Sequence, residues 1–378
     1  MTRNRKVSRA RKALLLELVT VIFTLGAVQL GAIELGASSA DAAPTPWTVQ
    51  TSPSPGTPLY GVSCANPTSC VAVGGQNALT ESWNGSSWTI TSSPDEGNGS
   101  ILWSASCTSP VDCFAVGTYT PSGTESQQTL IESFDGTSWS TVSSPNSVGH
   151  NNLYSVSCTS ASFCMAVGYD GDTEPDPTFG SLVETWNGTA WSVETSPGIG
   201  ELTGVSCLSS SECTVSGSHK LMTWNGTSWK VVKTPLSSND FLSSVTCASA
   251  TNCVAVGEQT VASSPYFRTL ILSWHGKNWV VTASPNRGTA KGKGGADNQL
   301  FSVSCTSSKK CVAVGDGDGT LVETLSGTSW KIASSQNLGD SGTNYLYGSA
   351  CPSATSCEAV GTYSDETAGQ TLIETGSD

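Results

Sequence analysis

The sequence predicts an all-β protein, a seven-bladed β-propeller of four-stranded antiparallel blades whose ring is closed by its N-terminal strand. Three observations carry this expectation. A stretch typified by Leu153–Pro197 (LYSVSCTSASFCMAVG…SLVETWNGTAWSVETSP) returns seven times, beginning at Leu59, Leu102, Leu153, Leu202, Leu242, Leu300 and Leu346. The period of about 40 to 58 residues suits propeller blades, not helical solenoids. Each copy alternates apolar and polar residues and is rich in β-branched side chains, and none holds an apolar i, i+3, i+4 pattern long enough for a helix.

Each copy opens with Leu-x-x-Val-Ser-Cys or a close variant, a short strand a, followed by Cys-x-Ala-Val-Gly, strand b. Ser181–Trp186 is strand c, Asn187-Gly188-Thr189-Ala190 a turn, and strand d starts at Trp191. Asn-Gly between apolar runs is a strong hairpin signal because both residues tolerate positive φ. Ser-Pro then ends the blade, since Pro cannot extend a ladder. Small residues recur in strands a and b (Ser155, Ser157, Ala166 and Gly168 in this copy), as the inner strands of a converging array require. Eleven of the twelve Trp occupy the outer strands, where there is room for bulk; Trp103 is the exception. Pro46–Pro53 matches a strand d without its first three strands, and Leu372–Gly376 matches a strand c without its fourth. The two fragments complete each other, and a ring closed this way leaves no long open edge.

The propeller is expected over residues 44–378, with 1–43 a secretory signal. Arg3, Arg5, Lys6, Arg9, Arg11 and Lys12 form a basic region, Leu18–Ile33 is apolar, and Ala40-Asp41-Ala42 offers a cleavage site. The alternative is an uncleaved anchor, against which stands the shortness of the apolar run between Glu17 and Glu34. Without the leader, 11 of the 17 basic and 27 of the 30 acidic residues remain, a formal charge of −16. Nucleic acid and anionic membranes are poor partners for such a chain. No later segment is apolar enough to span a membrane, and a secreted monomer is expected.

The 14 Cys fall into seven pairs of identical spacing: Cys64/Cys70, Cys107/Cys113, Cys158/Cys164, Cys207/Cys213, Cys247/Cys253, Cys305/Cys311 and Cys351/Cys357. Zinc motifs place two to four residues between Cys and need a second pair or His nearby. One pair per blade in an exported chain points instead to a disulfide between strands a and b.

The Val-Gly ending strand b, the aromatic ending strand c and the Trp opening strand d resemble a shortened kelch-type repeat, and only Gly74-Gly75 keeps the kelch glycine pair. The chain resembles more closely the secreted bacterial repeat proteins that carry the blade VSC…C-x-AVG…WNGTSW, a group without an established activity. Among kelch-like folds, galactose oxidase implies a copper site of two Tyr and two His with a Cys cross-linked to one Tyr. Here His150, His219 and His275 lie in three different blades and every Cys has a partner, so the resemblance is one of fold only and transfers no catalytic residue.

The b–c and d–a connections emerge on one face of a propeller, and nearly all the length variation falls there: Gly117–Gln128, Gly168–Gly180, Gly257–Arg268, Pro285–Gln299 and Gly361–Gln370. That marks a variable, function-bearing rim over a constant base, although permissive loops also drift. Blades 1 and 4 have short b–c loops that should leave gaps. Within the rim, Asp170, Asp172, Glu174 and Asp176 alternate in a spacing that could wrap calcium, with Asp316 and Asp318 a lesser version; no other cofactor is expected. Arg287, Lys291 and Lys293 lie in a Gly-rich d–a connection read as mobile.

Tyr60, Trp103, Tyr154, Phe301 and Tyr347 recur second in strand a, broken by Thr203 and Ser243. Either they pack between blades, or they line the rim and stack on a ligand such as a sugar ring. Glu81, Glu132, Glu184, Glu323 and Glu374 recur in strand c, which suggests a structural hydrogen bond to the adjacent Trp or turn. Two functions fit: a non-catalytic propeller binding a glycan or an extracellular protein, or a carbohydrate-active hydrolase or lyase using Asp172, Glu174 or Asp316.

Overall fold

A computed structural model of the protein describes residues 46–54, 56–75, 77–94, 96, 98–147, 149–171, 180–260, 266–288, 297–339, 343–364 and 369–378. The expected leader, residues 1–43, lies outside them. Every regular element among the described residues is a β-strand, and the strands form seven four-stranded antiparallel sheets. Blade 3 is representative: strand a is His150–Ser160, b is Phe163–Gly171, c is Gly180–Trp186 and d is Trp191–Val193. Six sheets are sequential meanders. The seventh combines Asn344–Ser353, Ser356–Ser364 and Gly369–Gly376 with the N-terminal strand Thr48–Gln50.

That closure is specific in register, with Thr48 opposite Thr375, Val49 opposite Glu374 and Gln50 opposite Ile373. Trp47 anchors it: the ring is 1% exposed, and it packs with Val312, Val322 and Leu372 across the last seam. Gly376 stands where blades 1 to 5 carry a strand-c aromatic, and a Cβ there would meet the Trp47 ring at 2.5 Å. Deleting Pro46–Pro53 is therefore expected to lower stability sharply, and Trp47→Ala alone by about 3–5 kcal/mol. Urea unfolding followed by far-UV circular dichroism would show it. A truncated protein with the full-length midpoint would mean that the ring does not depend on this strand.

Every strand a carries a β-bulge that the repeat pattern did not reveal. In blade 3 Leu153 faces Gly168 and Ser155 faces Val167, so Tyr154 is the extra residue. The same skip occurs at Leu59/Gly61, Leu102/Ser104, Leu202/Gly204, Leu242/Ser244, Leu300/Ser302 and Leu346/Gly348. A bulge re-aims the extra side chain, and here it turns the second residue of each copy toward the propeller axis. It also accounts for the Val-Gly ending of strand b: a Cβ at Gly168 would stand 1.9 Å from the Asn152 carbonyl oxygen, too close for any side chain.

All seven expected disulfides form between strands a and b: Cys64–Cys70, Cys107–Cys113, Cys158–Cys164, Cys207–Cys213, Cys247–Cys253, Cys305–Cys311 and Cys351–Cys357. The picture of a plain staple across a short turn needs one correction, because the two ends of each bridge differ. Cys70, Cys113, Cys164, Cys213, Cys253, Cys311 and Cys357 are buried, between 0 and 5% exposed, and each is a member of a seam cluster. They are core residues as much as cross-links. Their partners on strand a are half-buried, and Cys64 and Cys351 border the space around the axis. The asymmetry follows from strand order: b is flanked by a and c in its own sheet, whereas a is the innermost strand, with no strand of its own blade beyond it.

Seven apolar clusters fill the seams, each built from two adjacent blades. At the 2/3 seam, Phe114, Val116 and Ile131 meet Leu153, Leu182 and Trp191. The strand-d Trp seals this seam, while the strand-c Trp lies over the a–b turn, Trp186 Nε1 donating to the Ala161 carbonyl at 3.0 Å.

Two polar devices knit the seams. Near the axis, the serine of Val-Ser-Cys accepts from the next blade's cysteine amide: Cys107 N to Ser63 Oγ (3.0 Å), Cys158 N to Ser106 Oγ (2.9 Å), Cys207 N to Ser157 Oγ (3.0 Å). The inner serines thus bond across seams as well as meeting the steric demand of the taper. Farther out, four of the five recurring glutamates, Glu374 being the exception, accept from the Ser-Pro serine that ends the preceding blade: Ser52 to Glu81 (2.8 Å), Ser93 to Glu132 (2.6 Å), Ser144 to Glu184 (2.8 Å) and Ser284 to Glu323 (2.8 Å). The expected partner, a neighbouring Trp or turn, is not the one used. Blade 4 has Met222 in place of the glutamate, and there the matching Ser196 hydroxyl is left without a partner.

The c–d turns also differ from expectation. Only the glycine has positive φ, +94° at Gly188, while the Asn187 side chain accepts from Thr189 N (2.9 Å) and Ala190 N (3.0 Å). Four residues separate the paired Trp186 and Trp191, so Asn187 opens the turn and caps it. Several of the expected rim loops begin as paired strands. Strands b and c of blades 2, 5 and 7 run on to Thr120/Gln128, Thr260/Phe267 and Ser364/Gly369. Blades 1 and 4 end their hairpins at Gly74/Leu79 and Gly217/Lys220, leaving the expected low points in the rim.

Candidate functional site

The innermost strands surround an axial cavity of about 810 Å³. It extends from Glu201 and Phe241, at the end carrying the b–c and d–a connections, to Cys64 and Cys351 near the a–b turns. Its wall changes along its length because the bulge residues lie toward the first end and the small residues of strand a toward the second.

Four of the five recurring aromatics touch the next in a chain of rings. Phe301 and Tyr347 are 5.4 Å apart between centroids, Tyr347 and Tyr60 5.3 Å, Tyr60 and Trp103 4.6 Å, and Trp103 and Tyr154 5.9 Å. The result is an arc over five of the seven blades, open at Thr203 and Ser243 in blades 4 and 5. The two sequence readings converge: each ring contacts its neighbour's and also faces the cavity, where all five remain half-buried. Trp103 and Tyr60 lie outside the apolar clusters that fill the seams.

Further residues, on strand b and around the start of strand a, add to the mouth, and sequence reasoning missed them. Tyr345 stacks on Tyr347 with ring planes 18° apart. Tyr169 sits 5.8 Å from Tyr154. Burial, followed by the Glu201 carboxylate, pushes the Tyr154 hydroxyl up, and burial likewise pushes Tyr347 up to about 12. Asn298 and Asn344 brace the d–a connections: Asn298 Oδ1 accepts from Arg287 N (2.7 Å) and Asn344 Oδ1 from Leu338 N (2.8 Å). The signal for them was a polar residue two places before the strand-a leucine.

The rim carboxylates divide. Asp170 lies at the end of strand b, paired through its backbone with Asn151 and Gly180. Asp172, Glu174 and Asp176 lie outside the described residues, as do Lys291 and Lys293. Among the described residues no group of three or more His, Cys, Asp and Glu is arranged to hold a metal ion. Asp316 closes the tight blade-6 turn, its Oδ1 accepting from Gly319 N at 3.4 Å. Burial pushes its carboxyl up to about 6, and the neighbouring Asp297 and Asp318 act in the same direction. Arg287 is half-buried and donates to the Thr320 carbonyl at 2.6 Å, so this part of the basic connection is held in place. Of the histidines, His150 Nδ1 accepts from Gln127 N at 3.3 Å and His219 lies against Phe241, centroids 6.3 Å apart.

No family model matches the chain, and no curated protein matches it. Solved structures do resemble it. The WD40 repeats of RRP9 superpose with a TM-score of 0.63 at 9% identity, over 89% of this chain and 99% of that one. The WD40 propeller domain of Doa1 gives 0.58 at 13%, over 88% and 97%. YCF48 bound to D1 peptide gives 0.56 at 12%, also over 88% and 97%. At these identities the likeness is one of fold.

Proposed function

We propose that the protein is an exported, non-catalytic binding propeller that takes an extended segment of another protein at the aromatic mouth of its axial cavity. The observation that carries this reading is the arc of Tyr347, Tyr60, Trp103 and Tyr154 around a cavity large enough for several side chains. Half-buried aromatic faces supply contact area at low entropic cost, as peptide-binding surfaces require. The open positions at Thr203 and Ser243 and the short blade-4 hairpin give an extended chain a way in. YCF48, similar in fold, binds a peptide, which agrees with this use of the architecture.

Seven disulfides without a free cysteine among the described residues support export, the leader being residues 1–43 and the working unit residues 44–378. The reading extends the resemblance to secreted bacterial repeat propellers and takes the unit as a monomer.

A random 12-residue peptide display library selected on the mature protein tests it. Enriched peptides are expected to lose binding at least tenfold on Trp103→Thr or Tyr347→Ser. Both substitutions place residues that blades 4 and 5 already carry at this bulge, so the melting temperature should hold. Failure to enrich peptides, with a glycan array giving signals that these same variants abolish, would replace the protein ligand by a glycan.

A further inference from the structure

We infer that the cavity mouth is a cation site, taking the lysine or arginine side chain of the bound segment between the aromatic arc and the surrounding carboxylates. This deepens the binding role just proposed and rests on it for the identity of the ligand as a polypeptide. Two independent features of the mouth meet here, ring faces and negative charge.

Aromatic faces attract cations through the ring quadrupole, and the attraction grows as water is excluded. Five such rings border one cavity. Negative charge stands beside the rings at two places. Glu201 lines the cavity beside Tyr154 and acts on both Tyr154 and Tyr169. At blade 6, Asp316 acts on Tyr345 and Tyr347, and Asp297 acts on Tyr345, Asp316 and Glu258. Among the described residues the one ion pair is Lys310 with Asp378 at 3.8 Å, away from the mouth. Arg287 has its guanidinium on the Thr320 carbonyl and is attracted by the buried Glu374 as well as by Asp318. Asp316 and Glu258 are held above the ordinary carboxylate range by burial, and Asp297 acts on both in the same direction. The mature chain's charge of −16 adds long-range attraction for a basic partner.

The geometry also says how a basic residue would arrive. Its aliphatic stem would lie along the ring faces while the charged head reached the carboxylates, as long cationic side chains do at apolar surfaces. An acidic or neutral segment gains no charge attraction from the same wall.

Peptides enriched on the mature protein are resynthesised with each arginine replaced by citrulline and each lysine by norleucine, and fluorescence anisotropy is read at 50 and 500 mM NaCl. The expected result is recurrent Lys or Arg in the enriched set, at least tenfold weaker binding of the neutral isosteres, and weaker binding at the higher salt. Asp316→Asn and Glu201→Gln should each weaken the basic peptide at least threefold and leave the isostere unchanged. Enriched peptides that lack basic residues but depend on Trp103 would overturn the cation site and leave the peptide-binding role standing. To separate the converse case, n-butylguanidinium is titrated against Trp fluorescence of the wild type and of Trp103→Thr. A saturable change lost in the variant, with no peptide enriched, would keep the cation site and overturn the polypeptide ligand. No saturable response and no basic enrichment would overturn the inference.

Discussion

Reduction of the seven disulfides should abolish the cooperative unfolding transition of the protein. Each bridge joins directly opposed strands a and b, with Cα atoms 3.9 to 4.1 Å apart and the two cysteines six positions apart in sequence. Closing so short a loop contributes roughly 2 kcal/mol by restricting the unfolded chain. Bridges in separate blades share no partners and should add, giving about 14 kcal/mol in total. Net stabilities of domains are on the order of 10 kcal/mol. The second cysteine of each pair is buried in a seam, so the protein must first be opened in urea, reduced and alkylated, then returned to buffer. Circular dichroism is expected to show no sigmoidal melt. A reduced, alkylated protein that regains the native melting temperature would show that the seam clusters suffice alone. Peptide mapping under non-reducing conditions checks the pairing itself.

Stability should fall as pH rises from 5 to 8.5, the reverse of a protein held by carboxylate ion pairs. Burial pushes Glu81, Glu132 and Glu184 up to about 7 and Glu323 and Glu374 to about 8, and all five are fully inaccessible. The folded protein thus holds these protons more tightly than the unfolded chain does, so unfolding releases protons across this interval. The stabilisation is complete below the ordinary carboxylate value near 4.5 and is lost as pH rises through 7 to 8. A shift of this size corresponds to about 3 kcal/mol for each group. Melting temperatures at pH 5 are expected to exceed those at pH 8.5 by more than about 10 °C. Glu184→Gln keeps an acceptor for the Ser144 hydroxyl without the charge, so it should stabilise at pH 8.5 and change little at pH 5. A wild-type melting temperature that is level or rising with pH would contradict the ionisation cost at the seams, as would a Glu184→Gln variant with an unaltered pH slope.

The ring, the blade count, the closure by Trp47 and Val49 and the disulfide pairs were legible in the sequence because each is a matter of periodicity. A unit that cannot bury its own faces must repeat, its fragments must complement, and cysteines at constant spacing must meet across one hairpin. That Cys164 would be core and Cys158 only half-buried was not legible, since the difference depends on which strand lies innermost. The repeated glutamates were legible as structural, but their partners were not. Ser144 lies 40 residues from Glu184, in another blade, and only the packing of blade on blade brings the two together. The aromatic site was half legible. Position two of strand a marked Tyr60, Trp103, Tyr154, Phe301 and Tyr347, whereas their common direction is set by the bulge. A bulge is one unpaired residue in a ladder, and alternation read along a single strand does not reveal it, since the partner strand decides which residue is skipped. Glu201, Tyr345 and Asp297 joined the site for the same reason. They belong to different blades or connections and share no motif, and the convergence of seven strands on one axis is what brings them toward one opening.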